Sequence, residues 1–402
     1  MALYVRERHE PLTDQDWDEG RARTALARIV SDTNAAFTPD GLWRIHPFDV
    51  SSERPPDALK SLYNGAAGVI AALHHLAAKG FAPLAHDFVP VACDLQRRWH
   101  ADLAKLPEVR AYNEPDNLMT DLGFHLLEWK LAPSSQVEDK LAATIATRIG
   151  DNRGFVWGAA GAMRAALFLH AATGDARWRD LFVRHADALW QSWQFDVAAQ
   201  CHLWTVDLYS VADKRLTPLH GFFANAGALF AGRHLLAPDR AVELLDRIVQ
   251  TTRATARIEG EHANWPVSWE RSAPTNYFLQ FCNGAPGVIS NLATFPDTRL
   301  DALFRKSAEL TWSAGPVIKM PSLCHGAPSA GFAFLKLHAR TRDPRWLDRA
   351  RRFAMHAFAQ AEAAKAQYGQ RKFSLWTGDI GLAVFLAACV SGDCAIPTFD
   401  AF

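Results

Sequence analysis

Seven times along this chain a short turn signal opens an apolar, alanine-rich run. Four copies are plain: "YNGAAGVIAAL" around Gly65, "VWGAAGAMRAAL" around Gly158, "CNGAPGVISNL" around Gly284 and "WTGDIGLAVFL" around Gly378. Each is Gly-x-x-Gly followed by residues that are apolar on nearly every side of a helix. Three weaker copies keep the frame. "HGFFANAGAL" at Gly221 has Ala224 in the second glycine place, "CHGAPSAGFAFL" at Gly326 has Ser329 there, and "MTDLGFHLLEW" has Thr120 in the first place. A loose period of about 50 residues marks a repeat architecture, in which no unit buries its apolar face alone.

The first helix of each unit is predicted to be buried all round. A second, amphipathic helix follows. "DARWRDLFVRHADALWQSW" comes after Gly158 and "DPRWLDRARRFAMHAFAQA" after Gly326. Asp175 and Asp343 open these segments as N-caps, and Pro344 suits the first helical position. Trp178, Leu181, Phe182, His185 and Leu189 recur at steps of three and four, one face of a helix. A closed ring of such pairs gives the expected fold class: all-α, an α/α toroid (barrel) of about seven helical hairpins with inner and outer helix layers. Residues 1–402 are read as a single domain, with N-terminal outer helices in 1–60 ("DQDWDEGRARTALARIVSDT") and the seven repeats in 61–402.

No Pro/Ser linker or low-complexity block divides the chain. Apolar residues at 49% and charged residues at 21% are an ordinary globular mixture, so the core can be large. The formal net charge of zero gives no electrostatic case for nucleic acid or an anionic membrane. No apolar run reaches the roughly 18 residues of a membrane span. The charged N-terminus "MALYVRERHEPLTDQDWDEG" is unlike a secretory signal, and six cysteines fit a reducing compartment, so a cytoplasmic location is expected.

If the glycine turns gather at one end of the ring, the residues beside them share a mouth. Immediately before the first motif place stand Asn64, Met119, Trp157, His220, Asn283, His325 and Thr377; one step earlier stand Cys282 and Cys324. Two thiolates and an imidazole form a three-ligand zinc set with a fourth position open, the catalytic pattern. Cys282, Cys324 and His325 are therefore the candidate Zn2+ ligands, and His220 the candidate catalytic acid or base. Trp157 and Asn283 are candidate pocket residues. A buried cysteine is often only a small hydrophobe; two in register, one followed by histidine, weigh against that. Cys93, Cys201, Cys389 and Cys394 fall off register and are read as structural.

Taken in order, "HGFFAN", "FCNGAPGV", "SLCHGAPS" and "SLWTGDIGLAVFL" resemble the lanthionine synthetase C-like (LanC-like) family, bacterial stand-alone type, from about residue 60 onward. The resemblance implies the same toroid, zinc on Cys282, Cys324 and His325, and His220 as the active-site histidine. It implies zinc-dependent addition of a thiol to dehydroalanine or dehydrobutyrine, forming a thioether, as a lanthionine cyclase or by adding glutathione. The partner is then a thiol-bearing peptide or glutathione, with the dehydrated residue made by a separate dehydratase, kinase or lyase. The chain departs from the family pattern at several places. Gly154 stands where an acidic residue is usual, with Asp151 three residues earlier, and Asn283 follows the first cysteine in place of histidine or tyrosine. Ala224, Ser329 and Thr120 replace motif glycines. These departures motivate the alternative, a diverged zinc-binding, non-catalytic peptide- or thiol-binding module. A glycan hydrolase would need two mouth-facing carboxylates; only Asp379 lies in a strong motif and Asp121 in a weak one.

Overall fold

The structure is a computed structural model that describes residues 2–50, 57–105, 117–271 and 276–402. Seven helices start at the glycine signals: α2 (Ala66–Ala78), α4 (Asp121–Leu131), α7 (Ala159–Thr173), α9 (Phe222–Ala231), α11 (Ala285–Leu292), α13 (Ala327–Thr341) and α15 (Asp379–Ser391). Gly65, Thr120, Gly158, Gly221, Gly284 and Gly378 sit at the N-caps of their helices. Most positions of these inner helices are buried, without a break in α9 from Phe222 to Phe230 and in α15 from Asp379 to Cys389. Their largely apolar composition leaves little face for water.

The second helices are α1 (Glu19–Ala35), α3 (Val89–Lys105), α5 (Ser135–Ala146), α8 (Ala176–Ser192), α10 (Pro238–Thr255), α12 (Asp301–Ala314) and α14 (Pro344–Tyr368); a single turn, α6 (Gly154–Trp157), precedes α7. The α8 helix buries Trp178, Leu181, Phe182, His185, Ala186 and Leu189, the face its spacing predicts. Burying one indole such as Trp178 removes about 150–250 Å² from water, roughly 4–6 kcal/mol of transfer free energy. Asp175 and Asp343 accept hydrogen bonds from the backbone N–H of Arg177 and Arg345, so both predicted caps form. No helix among the described residues is long and apolar enough to cross a membrane.

Several of the turns before the inner helices are built alike. Ser61, Thr217 and Ser322 each accept, through the hydroxyl, the N–H of the residue three places on: Asn64 at 3.2 Å, His220 at 3.2 Å and His325 at 3.3 Å. At Gly65, Gly221 and Gly378 the residue after the first motif place reaches back seven positions. Ala66 N–H bonds Leu59 O at 3.0 Å, Phe222 N–H bonds Arg215 O at 2.9 Å, and Asp379 N–H bonds Lys372 O at 2.8 Å. At Gly381, the second motif place of the last repeat, the backbone folds so closely that a Cβ would lie 2.1 Å from Leu375 O, whereas Ala224 and Ser329 carry a Cβ at the same place in their own turns. Steric exclusion of a side chain there explains the glycine better than flexibility does.

The chain groups into two compact units. One comprises Met1–Pro11, Ala142–Gly315 and Arg340–Arg342 and carries the turns at 158, 221 and 284. Three short antiparallel hairpins lie in it: β1 (Gln194–Asp196) with β2 (Cys201–Leu203), β3 (Val206–Leu208) with β4 (Val211–Asp213), and β5 (Arg257–Glu259) with β6 (His262–Asn264). They occupy the two longest intervals of the repeat, between Gly158 and Gly221 and between Gly221 and Gly284. The periodicity does not foresee them.

The other unit comprises Leu12–Leu141, Pro316–Ala339 and Asp343–Phe402. Here α1 packs along α15, so the N-terminal helix supplies the outer partner of the last inner helix. Backbone bonds stitch neighbouring turns together: Leu62 N–H to Met119 O at 2.8 Å, Trp376 N–H to Tyr63 O at 3.2 Å, and Cys324 N–H to Trp376 O at 3.0 Å. The last repeat therefore sits directly beside the first.

Candidate metal and active site

Cys324 lies in the turn Ser322–Gly326, and only 1% of it is exposed. Its N–H is spent on Trp376 O, which fixes the Cα, and Tyr63 Oη donates to its Sγ at 2.8 Å. His325 follows, half-buried, with its N–H on Ser322 Oγ.

Cys282 is held by a different device. The side-chain oxygen of Asn264 accepts from Ala285 N–H at 2.8 Å and Trp265 N–H at 2.9 Å, while its Nδ2 donates to Phe278 O at 3.0 Å. One buried amide thus ties the start of α11 to the hairpin strand β6. Cys282 is 8% exposed, and Asn283 Nδ2 donates to its Sγ at 3.2 Å.

One ligand atom from each of Cys282, Cys324 and His325 falls within 4.8 Å of the other two. Zinc with bonds of about 2.0–2.3 Å places tetrahedral ligands about 3.3–3.8 Å apart. The spacing and the sulfur-rich donor set therefore fit a zinc ion after small side-chain adjustments. On a tetrahedral ion these three donors would leave one position for an outside group.

His220 occupies the equivalent place in the turn Thr217–Gly221. Burial, reinforced by the Arg215 guanidinium, pushes its imidazole down to about 3, so it is neutral at physiological pH. Its Nδ1 is buried with no hydrogen-bond partner among the described residues. Trp157, half-buried at the end of α6, has its indole Nε1 in the same condition. Two adjacent turns thus each present an unsatisfied buried polar atom, the kind that calls for a ligand or functional explanation.

Gly154 takes φ +84°, and a Cβ there would lie 2.6 Å from His220 Cα. With Phe155 N–H bonded to Leu219 O at 2.8 Å, that glycine buttresses the histidine turn. No acidic side chain fits the place in this conformation. Asp151 does not stand in for one, because Arg153 grips it through Nε at 3.0 Å and Nη2 at 2.7 Å.

Asn283, the candidate pocket residue beside Cys282, turns its side-chain amide onto the Cys282 sulfur. Among the off-register cysteines, Cys201 and Cys389 are buried, Cys394 is partly buried and Cys93 is exposed, all as free thiols. Sequence reasoning missed Tyr63. The signal was available: Tyr63 stands two places before its motif glycine, as Cys282 and Cys324 do.

The profile of the family described as Lanthionine synthetase C-like protein matches residues 154–400. The chain is 34% identical over 115 residues to Glutathione S-transferase LANCL1 of Danio rerio, a stretch covering 27% of this chain and 28% of that protein. Nisin cyclase superposes with a TM-score of 0.59 at 13% identity, over 92% of this chain and 94% of its own. At that identity the likeness concerns fold alone: all-α, the α/α toroid predicted from the repeat. With more than half its length matched by one profile on a fold of this kind, the chain belongs to the lanthionine synthetase C-like family.

Proposed function

We propose that the protein, with residues 1–402 acting as one domain in a reducing compartment, catalyses zinc-dependent addition of a thiol to dehydroalanine or dehydrobutyrine. The nucleophile is a peptide cysteine or glutathione, and the product is a thioether. The observation that carries this reading is the approach of Cys282, Cys324 and His325 ligand atoms to within 4.8 Å of one another. These three residues hold the ion. Zinc, when bound, supplies a Lewis acid that favours thiolate over thiol.

A free thiol of pKa about 8.5 is about 3% ionised at pH 7, so full ionisation gains at most about 30-fold, or about 2 kcal/mol. Holding thiolate and alkene in attack geometry supplies more. His220 takes the thiol proton and returns it to Cα once sulfur has bonded to Cβ. The S–H bond and the alkene π bond are lost; one S–C and one C–H bond form. Its low pKa belongs to a ring with no anion beside it, and a thiolate or enolate nearby favours its charged form. The unpartnered indole N–H of Trp157 is suited to a substrate carbonyl oxygen.

The test is free-thiol consumption by a dehydroalanine peptide and glutathione, with and without zinc stripped by dialysis against chelator. Turnover that survives complete zinc removal defeats the proposal. Tight thiol binding without turnover in the zinc-loaded protein supports the second reading, a thiol-binding module. That reading is favoured by the exclusion of a carboxylate at Gly154 and by the capture of Asp151 by arginine.

A further inference from the structure

Activating an outside thiol beside Cys282 and Cys324 creates a problem of choice. Three sulfur anions then share one small site, and only the outside one is to attack the alkene. We propose that Tyr63 and Asn283 are positioning residues that enforce this choice, each blunting one protein sulfur with a hydrogen bond. The inference rests on the zinc-dependent thiol-addition reading.

The geometry is paired. Tyr63 Oη donates to Cys324 Sγ at 2.8 Å, and Asn283 Nδ2 donates to Cys282 Sγ at 3.2 Å. Neither donor is loosely placed. The Tyr63 ring stacks on Trp376, with centroids 6.4 Å apart and planes at 15°, and its carbonyl accepts from Trp376 N–H at 3.2 Å. The Asn283 carbonyl accepts from Gln280 N–H at 3.0 Å, closing a tight turn around the cysteine. A lone pair engaged by a charge-assisted hydrogen bond must give up that bond before it can form one to carbon. The donor also draws density from the sulfur, so a zinc ion held there would be more electrophilic. Exposures of 1% for Cys324 and 8% for Cys282 add a steric bar.

The test uses full-length protein loaded with zinc and treated with iodoacetamide. Each event forms an S–C bond, breaks C–I and releases iodide, and peptide mapping counts the label at each cysteine. In Tyr63→Phe the labelling rate of Cys324 rises roughly tenfold while that of Cys282 is unchanged. In Asn283→Ala the pattern reverses. General loosening would raise both rates together and overturns the proposal. Cobalt loading gives a readout independent of reagent access: loss of either donor moves the sulfur-to-cobalt charge-transfer band to lower energy. Wild-type labelling of Cys324 in zinc-loaded Tyr63→Phe overturns the inference whatever the band does. A wild-type protein that binds neither zinc nor cobalt brings down the metal reading itself; a metal-loaded wild type with unresponsive variants brings down only the Tyr63 and Asn283 assignment.

Discussion

Ser322-Leu323-Cys324-His325-Gly326 and Ser374-Leu375-Trp376-Thr377-Gly378 are the same turn built twice, side by side, joined by the bond from Cys324 N–H to Trp376 O at 3.0 Å. In the first, the two residues before the glycine are a sulfur and an imidazole within reach of a metal partner. In the second they are an indole, fully buried with Nε1 donating to Thr398 Oγ1 at 3.0 Å, and a threonine whose hydroxyl lies 2.8 Å from that of Ser374. The polar chemistry of the second turn lies beneath it. Arg371, with no exposed side-chain surface, donates to Asp32 and to Glu362, each at 2.6 Å, and its Nη1 lies 3.5 Å from Asp379. The repeat backbone is thus a chassis: two variable positions make one turn a candidate ligand site and leave its neighbour a structural joint.

The comparison breaks most visibly at the sulfur. Cys324→Ala is expected to lower zinc content from about one equivalent to near zero and to abolish thiol addition, as metal analysis and thiol consumption would report. A variant that keeps both would erase the distinction between the turns. His220→Asn should slow thiol addition by about 10²–10⁴-fold with zinc content unchanged. Loss of zinc in that variant would instead make the histidine part of the ligand apparatus.

On the structural side, Gly381→Ala forces a Cβ against Leu375 O and should cost about 3 kcal/mol, seen as a lowered denaturation midpoint. The zinc affinity of the protein that remains folded should not change. A milder effect should follow Asp379→Asn. Burial raises the Asp379 carboxyl to about 7 although Arg371 opposes the shift. A carboxyl raised above its unfolded value of about 3.9 favours the folded state at low pH and loses that contribution as pH rises toward 7. The asparagine variant lacks this loss. Its stability relative to wild type should therefore climb between about pH 4 and pH 7 in denaturant titrations. A difference that is flat or falls over that window would mean that Arg371 holds the carboxylate ionised throughout.

The repeat, the inner and outer helices, the caps at Asp175 and Asp343 and the register of Cys282, Cys324 and His325 were legible in the chain. These are local properties: helical period, capping chemistry and distance from a glycine are all set within about twenty residues. The hairpins between Gly158 and Gly284 were not legible, because strands of three residues carry too little alternation to register.

The amino-acid order by itself determined that helices would alternate as buried and half-buried pairs, and that two sulfurs and an imidazole would stand at equivalent turns. Tertiary structure alone decided that Tyr63, 261 residues from Cys324, would supply the donor to its sulfur. It also decided that Gly154 would be pressed against His220, leaving no room for an acid, and that Asp151 would be claimed by Arg153. The physical reason is one of range. A turn's own conformation follows from its own residues, but the groups its side chains meet belong to neighbouring turns, and only the packed stack of helices fixes which turns are neighbours and at what distance.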